Sequence, residues 1–206
     1  MLHPDTELRL RDKQIGYGVF ATAPIPKGTI TWALDPLDQI LTAERVEQFD
    51  DEFAELVVKY SYVNGRGERV LCWDFARFMN HSCDANTFSP GLQFEIAVRD
   101  IECDEELTSD YGSLNIEREF RCICRSRRCR GVVRDEDFER LARRWDLQLS
   151  SAAACMRDVR QPLFKWLHAE PGIAALFAHP DRLPSILAHR WRAAASMAPA
   201  RRRAAR

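Results

Sequence analysis

The chain has 206 residues, 46% of them apolar and 30% charged, with a formal net charge of −1. This is the composition of a soluble globular protein with one sizeable core and room for a small appendage. It holds no run of about 18 uncharged apolar residues, and Met1-Leu2-His3-Pro4-Asp5 is too polar for a leader peptide, so neither a membrane span nor a secretory signal is expected.

The first part of the chain reads as short strands broken by turns. Leu8 and Leu10 alternate with charged residues, and the glycines at 16 and 18 precede an apolar run ending near Pro24 and Pro26. The run GYGVFA, Gly16 to Ala21, formally matches G-x-G-x-x-G/A, but the two prolines argue for extended backbone instead of the helix that a dinucleotide site needs. An ordinary turn and a place where a ligand approaches the backbone both remain open for it. From Thr42 to Tyr60 the period changes: Val46, Phe49, Phe53, Leu56, Val57 and Tyr60 recur at helical spacing, with Thr42 as N-cap. Strands resume around Glu68–Trp73 and Gln93–Val98.

Between these strands lies RFMNHSCDAN, Arg77 to Asn86, where Asn80 and His81 offer both donors and acceptors. They suit a heteroaromatic ligand or a hydrogen-bonded turn equally well. The acidic turn DEELTSDYG, Asp104 to Gly112, brings a tyrosine, Tyr111, to a short strand end. Of the seven cysteines, an odd number, Cys122, Cys124 and Cys129 form a C-x-C-x4-C cluster one thiolate short of a tetrahedral set, and Cys83 would complete it. Neighbouring C-x-C cysteines pair badly with each other, so a metal in a reducing, intracellular compartment fits better than disulfides. Reduced surface thiols are the plain alternative. After Gly131 the chain looks helical, with Phe138, Leu141, Ala142 and Trp145 on one stripe and Pro162, Pro171, Pro180 and Pro184 dividing the later residues into short helices. The stretch from Arg190 to Arg206 carries six arginines and no acid, a composition for a frayed or disordered tail.

GYGVFA, RFMNHSC, EELTSDYG and CICRSRRCRG together resemble, in order and spacing, the signature segments of SET-domain protein lysine methyltransferases with a post-SET zinc motif. The resemblance covers Glu7 to Gly131. It implies a mainly β fold with helices: several short sheets in a β-clip with knot-like threading of the C-terminal segment. The implied SET domain runs over 5–114 with a helical insert at about 42–60. A post-SET zinc segment comes next at 115–131, then a helical C-terminal extension at 132–192 and a disordered Arg/Ala-rich tail at 193–206.

The activity implied is transfer of methyl groups from S-adenosylmethionine to the ε-amine of lysine in a protein substrate, a histone tail by family precedent. By motif position, Gly16, Tyr17 and Gly18 would meet the cofactor's methionine part through their backbone. Arg77, Asn80 and His81 would hold the rest, with Asn80 and His81 near the adenine. Tyr111 would be the active-site tyrosine and touch the cofactor, and Cys83, Cys122, Cys124 and Cys129 would bind structural zinc. Tyr60 or Tyr62 would line the lysine channel. Proton loss from lysine needs no dedicated base on this reading, because desolvation and the sulfonium charge both disfavour the ammonium and bulk water takes the proton.

Ser109 stands where the family usually has Phe or Tyr controlling how many methyl groups fit, so more than monomethylation is expected. Asp104, Ala85 and Trp73-Asp74 are further departures, and none removes a group needed for transfer. Two other classes remain: a catalytically silent SET-like module that binds peptide or protein, and a zinc-supported nucleic-acid binder drawn from the arginines around Cys122–Arg130 and the tail. No membrane partner is expected, and oligomeric state is not readable. The Ala/Arg-rich composition suits a high-GC bacterial genome, which would place the protein in the cytoplasm, with delivery to a host nucleus as a further route.

Overall fold

A computed structural model describes residues 1–167 and 173–192; the tail expected to be disordered at 193–206 lies outside the described residues. The first hairpin pairs β1 (Thr6–Asp12) with β2 (Gly16–Ala21), Leu10 facing Tyr17 and Thr6 facing Ala21. Its turn closes because the Asp12 carboxylate accepts the amides of Gln14 and Ile15, both at 2.8 Å, and because Gly16 takes φ +89°, which a side chain would resist. GYGVFA is therefore a strand, and the next element after it is another strand, not a helix.

Beyond β3 (Ile30–Ala33) and β4 (Gln39–Leu41), the single helix expected over 42–60 is two, α1 (Ala43–Glu47) and α2 (Asp51–Tyr60). The Thr42 hydroxyl caps the first as expected, accepting from the Arg45 amide at 3.3 Å. The break comes at Asp50, whose extended backbone lets its carboxylate accept the Phe53 amide at 2.8 Å and start a second helix. The apolar stripe does not build a core: only Val57 of α2 is buried, and Phe53 is 52% exposed.

The later elements are β5 (Ser61–Val63), β6 (Arg69–Leu71), β7 (Asn80–His81), β8 (Thr87–Phe88), β9 (Phe94–Ala97), β10 (Glu106–Ser109), β11 (Phe120–Arg121), β12 (Val132–Val133), α3 (Asp137–Ala153) and α4 (Ile173–Ala178). Among the described residues, seven strands form one sheet in the order β1-β2-β10-β8-β9-β3, with β7 also on β10; β4-β6-β5 and β11-β12 form two smaller sheets. Strand β10 is the hub. It runs antiparallel to β2 but parallel to β7 and β8, setting Ser109 beside both His81 and Thr87. Tyr111 lies just beyond its end. The architecture is mainly β in short curled sheets with a few helices, as expected.

The C-terminal helices are part of the main core. Phe138, Ala142, Trp145 and Leu149 of α3 pack on Ile30, Phe88, Phe94 and Ile96, and the Trp145 ring lies 6.0 Å from that of Phe88. A second cluster of Val19, Trp32, Met79 and Leu107 lies beneath the first hairpin. No helix among the described residues is long and apolar enough to cross a membrane.

One buried ion network locks these parts together. Arg130 donates to both oxygens of Asp110, at 2.6 and 2.7 Å, and to Asp137 at 3.0 Å, while Asp110 and Asp137 are each 1% exposed. It joins the residue before Tyr111, the cysteine-rich loop and the first turn of α3. Replacing Arg130 with Ala leaves the buried Asp110 carboxylate without its guanidinium, while Asp137 keeps Arg140, and is expected to cost about 3–5 kcal/mol. The measurement is a lower denaturant midpoint at unchanged slope. The network also has a pH dependence of definite sign. Burial would raise the Asp137 carboxyl, but Arg140, the Arg134 amide and Arg130 hold it below its ordinary value. A carboxyl depressed in the folded chain stabilises at neutral pH and loses that contribution as pH falls below about 4.

Candidate active site and cysteine centre

The strand-end tyrosine lines a cavity of about 810 Å³ bounded by α2, β5 and the start of the cysteine-rich segment. Its hydroxyl donates to the Met79 carbonyl at 2.6 Å, and its amide donates to His81 Nδ1 at 3.1 Å. Burial first, then the Glu95 and Glu106 charges, push the phenol above its ordinary value. It stays neutral, and with its one proton committed to Met79 it presents only lone pairs to the cavity. Phe120 from β11 packs against it edge-on, ring centres 6.1 Å apart.

Of the other residues singled out by sequence, Arg77, Ser109, Tyr60 and Tyr62 line the same cavity. Arg77 donates to the Trp73 carbonyl at 3.0 Å. Gly16, Tyr17, Gly18, Asn80 and His81 do not line it. Asn80 donates to the Tyr17 carbonyl at 2.9 Å and to Glu106 at 2.7 Å, and a Cβ at Gly18 would meet Glu106 Oε1 at 2.4 Å, so a side chain there would displace the Glu106 carboxylate. The backbone around Gly16 is open, with nothing within 4 Å of a Cβ placed there. Asn80 is half-buried and its side-chain amide is engaged by Tyr17 and Glu106, while His81 is buried.

His81 turns toward the cysteines. Burial lowers its imidazole to about 4, so the ring is neutral, and since Nδ1 accepts the Tyr111 amide the proton sits on Nε2. That nitrogen faces Cys83 Sγ at 3.3 Å. His81 Nε2 and the sulfurs of Cys83, Cys122 and Cys124 all lie within 4.8 Å of one another, and Cys83 and Cys122 are 3.7 Å apart. Tetrahedral zinc with Zn–S near 2.3 Å puts its sulfurs about 3.8 Å apart. The donor set therefore fits zinc. A protonated Nε2 serves as hydrogen-bond donor to a thiolate. Cys129, the fourth cysteine expected from sequence, is not in that group of four; its sulfur lies 3.9 Å from the Cys122 carbonyl, at the edge of the cluster.

Backbone amides support the charge: Arg130 donates to Cys83 at 3.3 Å, Cys124 to Cys122 at 3.4 Å and Gly131 to Cys129 at 3.4 Å. Burial raises Cys83 to about 11 and raises Cys122 as well. Against the same burial, hydrogen bonds from Cys83 backbone and Ser126 draw Cys124 down to about 6. Cys72, Cys103 and Cys155 lie outside the cluster.

Sequence reasoning missed Glu95, a buried carboxylate in the same cavity bonded to Ser109 and Thr87. Its one signal is an acid in an otherwise apolar four-residue strand, Phe94–Ala97. It also missed the buried Trp32 beside it.

Residues 16–112 match the family model of the SET domain. The chain is 38% identical over 145 residues to histone-lysine N-methyltransferase ATX2 of Arabidopsis thaliana, covering 60% of this chain and 12% of that protein. It is 26% identical over 149 residues to human histone-lysine N-methyltransferase SETD1B, covering 62% of this chain and 7% of that protein. A third relative, "Probable inactive histone-lysine N-methyltransferase SUVR1" of Arabidopsis thaliana, is 30% identical over 148 residues, 58% of this chain and 20% of that protein. The chain thus spans a fifth or less of each of these relatives.

Proposed function

From the match of residues 16–112 to the SET-domain family model, we propose that this chain transfers methyl groups from S-adenosylmethionine to the ε-amine of a lysine in a protein substrate, with histone tails as the first class to test. The observation that carries the reading is Tyr111: a neutral tyrosine with its proton bound to the Met79 carbonyl, aiming its oxygen into a cavity of about 810 Å³ walled by Arg77, Tyr60, Tyr62 and Phe120. The cavity's size is that of a site for a drug-sized ligand.

The cofactor supplies an electrophilic methyl on a sulfonium. The chain's task is alignment, holding amine nitrogen, methyl carbon and sulfur in line. The lone pairs of Tyr111 attract the polarised methyl and the amine hydrogens, and the aromatic walls exclude water and favour a methylated cation. Arg77 offers a guanidinium to a carboxylate, and the open backbone at Gly16 allows close approach. Zinc, held by Cys83, Cys122, Cys124 and Cys129, would supply a structural cross-link. The test is methyl transfer from labelled S-adenosylmethionine to mixed histones and to a whole-cell lysate, wild type against Tyr111→Phe.

Ser109 sets product multiplicity on this reading. Its small side chain leaves the Glu95 end of the cavity open, whereas a tyrosine would fill it. Ser109→Tyr is expected to stop the product at monomethyl-lysine, read by mass spectrometry of the modified peptide; an unchanged product distribution would count against this role.

The relative named as inactive supports a second reading, a silent SET-like module that binds peptide or protein without transfer. Calorimetry with S-adenosylmethionine separates the two: absent binding in a folded, metal-loaded chain favours the silent module.

A further inference from the structure

Strand β9 reads Phe94-Glu95-Ile96-Ala97, and all four residues are buried. Phe94 and Ile96 join the core shared with α3, so Glu95 projects to the opposite face of the sheet. There its two oxygens each lie 3.0 Å from the Ser109 hydroxyl, and Oε2 lies 2.8 Å from the Thr87 hydroxyl. Hydroxyls are its only hydrogen-bond partners among the described residues; no cationic side chain pairs with it. A buried carboxylate without a cation is costly, and a group of this kind is kept where a ligand brings the missing charge.

The surroundings say which ligand. A second cavity of about 360 Å³, bounded by Gly65, Gly91, Ile186, Ala188 and His189, meets the larger one, and Glu95, Trp32 and Tyr62 line both. The Trp32 and Tyr62 rings stand edge to face, 6.1 Å apart, and the buried Trp32 indole N–H finds no acceptor among the described residues. A carboxylate behind aromatic walls at the junction of two cavities matches a cationic nitrogen on an apolar stem, reaching in from one side toward a reagent on the other.

We infer that Glu95 receives the ε-ammonium of the substrate lysine at this junction and removes its proton before transfer, so that the chain carries its own proton acceptor. The inference rests on the methyltransferase reading above. The proton passes from nitrogen to a Glu95 oxygen. The freed lone pair forms the N–C bond as the C–S bond of the sulfonium breaks, its electron pair remaining on sulfur as a thioether. The product leaves as a methylammonium ion, and Glu95 returns its proton to water.

Burial raises the Glu95 carboxyl above its ordinary value, with the Thr87 and Ser109 hydroxyls drawing it partly back, and a raised carboxyl is the stronger base. The titratable groups that face it are Tyr62, Tyr111 and Cys72, all held above their ordinary values and therefore uncharged at neutral pH. Glu95 is the one carboxyl among them.

The test uses the full chain and two readouts. In the cofactor-free protein, n-butylammonium chloride and n-butanol are titrated separately while the tryptophan indole N–H signals are followed by NMR. Wild type should prefer the ammonium by about tenfold, the worth of one charge-assisted contact, and Glu95→Gln should lose the preference. In methyl transfer, Glu95→Gln should lose about a hundredfold at pH 7 and recover as pH rises toward the lysine pKa of about 10.4. A preference kept in Glu95→Gln, or the same pH profile in both proteins, overturns the assignment. Should the variant fail to fold, equal affinity of wild type for ammonium and alcohol overturns it alone. Calorimetry with S-adenosylmethionine on the same samples separates the two readings. No cofactor binding in wild type sinks the methyltransferase reading, whereas intact cofactor binding with no ammonium preference sinks the role of Glu95 alone.

Discussion

Tyr111→Phe is expected to lower methyl transfer by about 10²–10³-fold, the scale set by removing one preorganised polar group from a water-excluded site. The ring survives the change, so its edge contacts with Phe120 and His81 persist and the fold should hold. What is lost is the oxygen and its bond to the Met79 carbonyl, a stability cost of about 1 kcal/mol. Loss of rate should therefore appear in kcat with S-adenosylmethionine affinity nearly unchanged. Because the phenol is held above its ordinary value, the oxygen acts as a neutral acceptor and not as a phenolate base. A variant retaining most of its kcat would remove Tyr111 from the chemistry.

Stripping zinc with a chelator is expected to abolish methyl transfer while the main unfolding transition and far-UV spectrum persist, and equimolar zinc should restore turnover. The cysteine-rich segment has little else to hold it: its apolar cluster is Cys83, Cys122 and Val133, with Ile116, Phe120 and Cys124 against them. Zinc binding in small peptides is worth roughly 10–16 kcal/mol, far more than such a cluster supplies. Phe120 transmits the loss, since it walls the cavity and packs on both Tyr111 and His81. Cys122→Ser should behave like the stripped protein. An apo-protein with full turnover would overturn the link.

Much of the molecule is legible where a local rule and the tertiary environment agree. GYGVFA declares itself extended through Pro24 and Pro26, and the α3 stripe of Phe138, Ala142 and Trp145 faces the core as its period requires. Cys83 joins Cys122 and Cys124 from 39 residues away, as the incomplete cluster implied. The rest is hidden where packing overrides pattern. Leu8 and Leu10 alternate as a buried face would, yet β1 is an edge strand and leaves Leu10 63% exposed. The pattern around Phe53 promised one helix, and a single capping carboxylate at Asp50 broke it. Glu95 between Phe94 and Ile96 reads as the outward residue of an alternating strand, whereas here both faces of that strand are covered. The contact of His81 with Cys83 was not legible, because a ring nitrogen looks the same in sequence whether it meets a ligand or a thiol.

The hub position of β10 also orders events in time. The β1–β2 hairpin is local and can form as soon as Ala21 has been synthesised, but its other neighbour in the sheet begins at Glu106. The residues that flank Tyr111 are then secured by Arg130, and the underside of the sheet is covered only when α3 is complete at Ala153. A growing chain emerging N-terminus first therefore keeps an unpaired strand edge from Ala21 to Glu106 and an uncovered apolar face until Ala153. Such long-range closure slows folding, because the sheet cannot close until residues up to Ala153 are made.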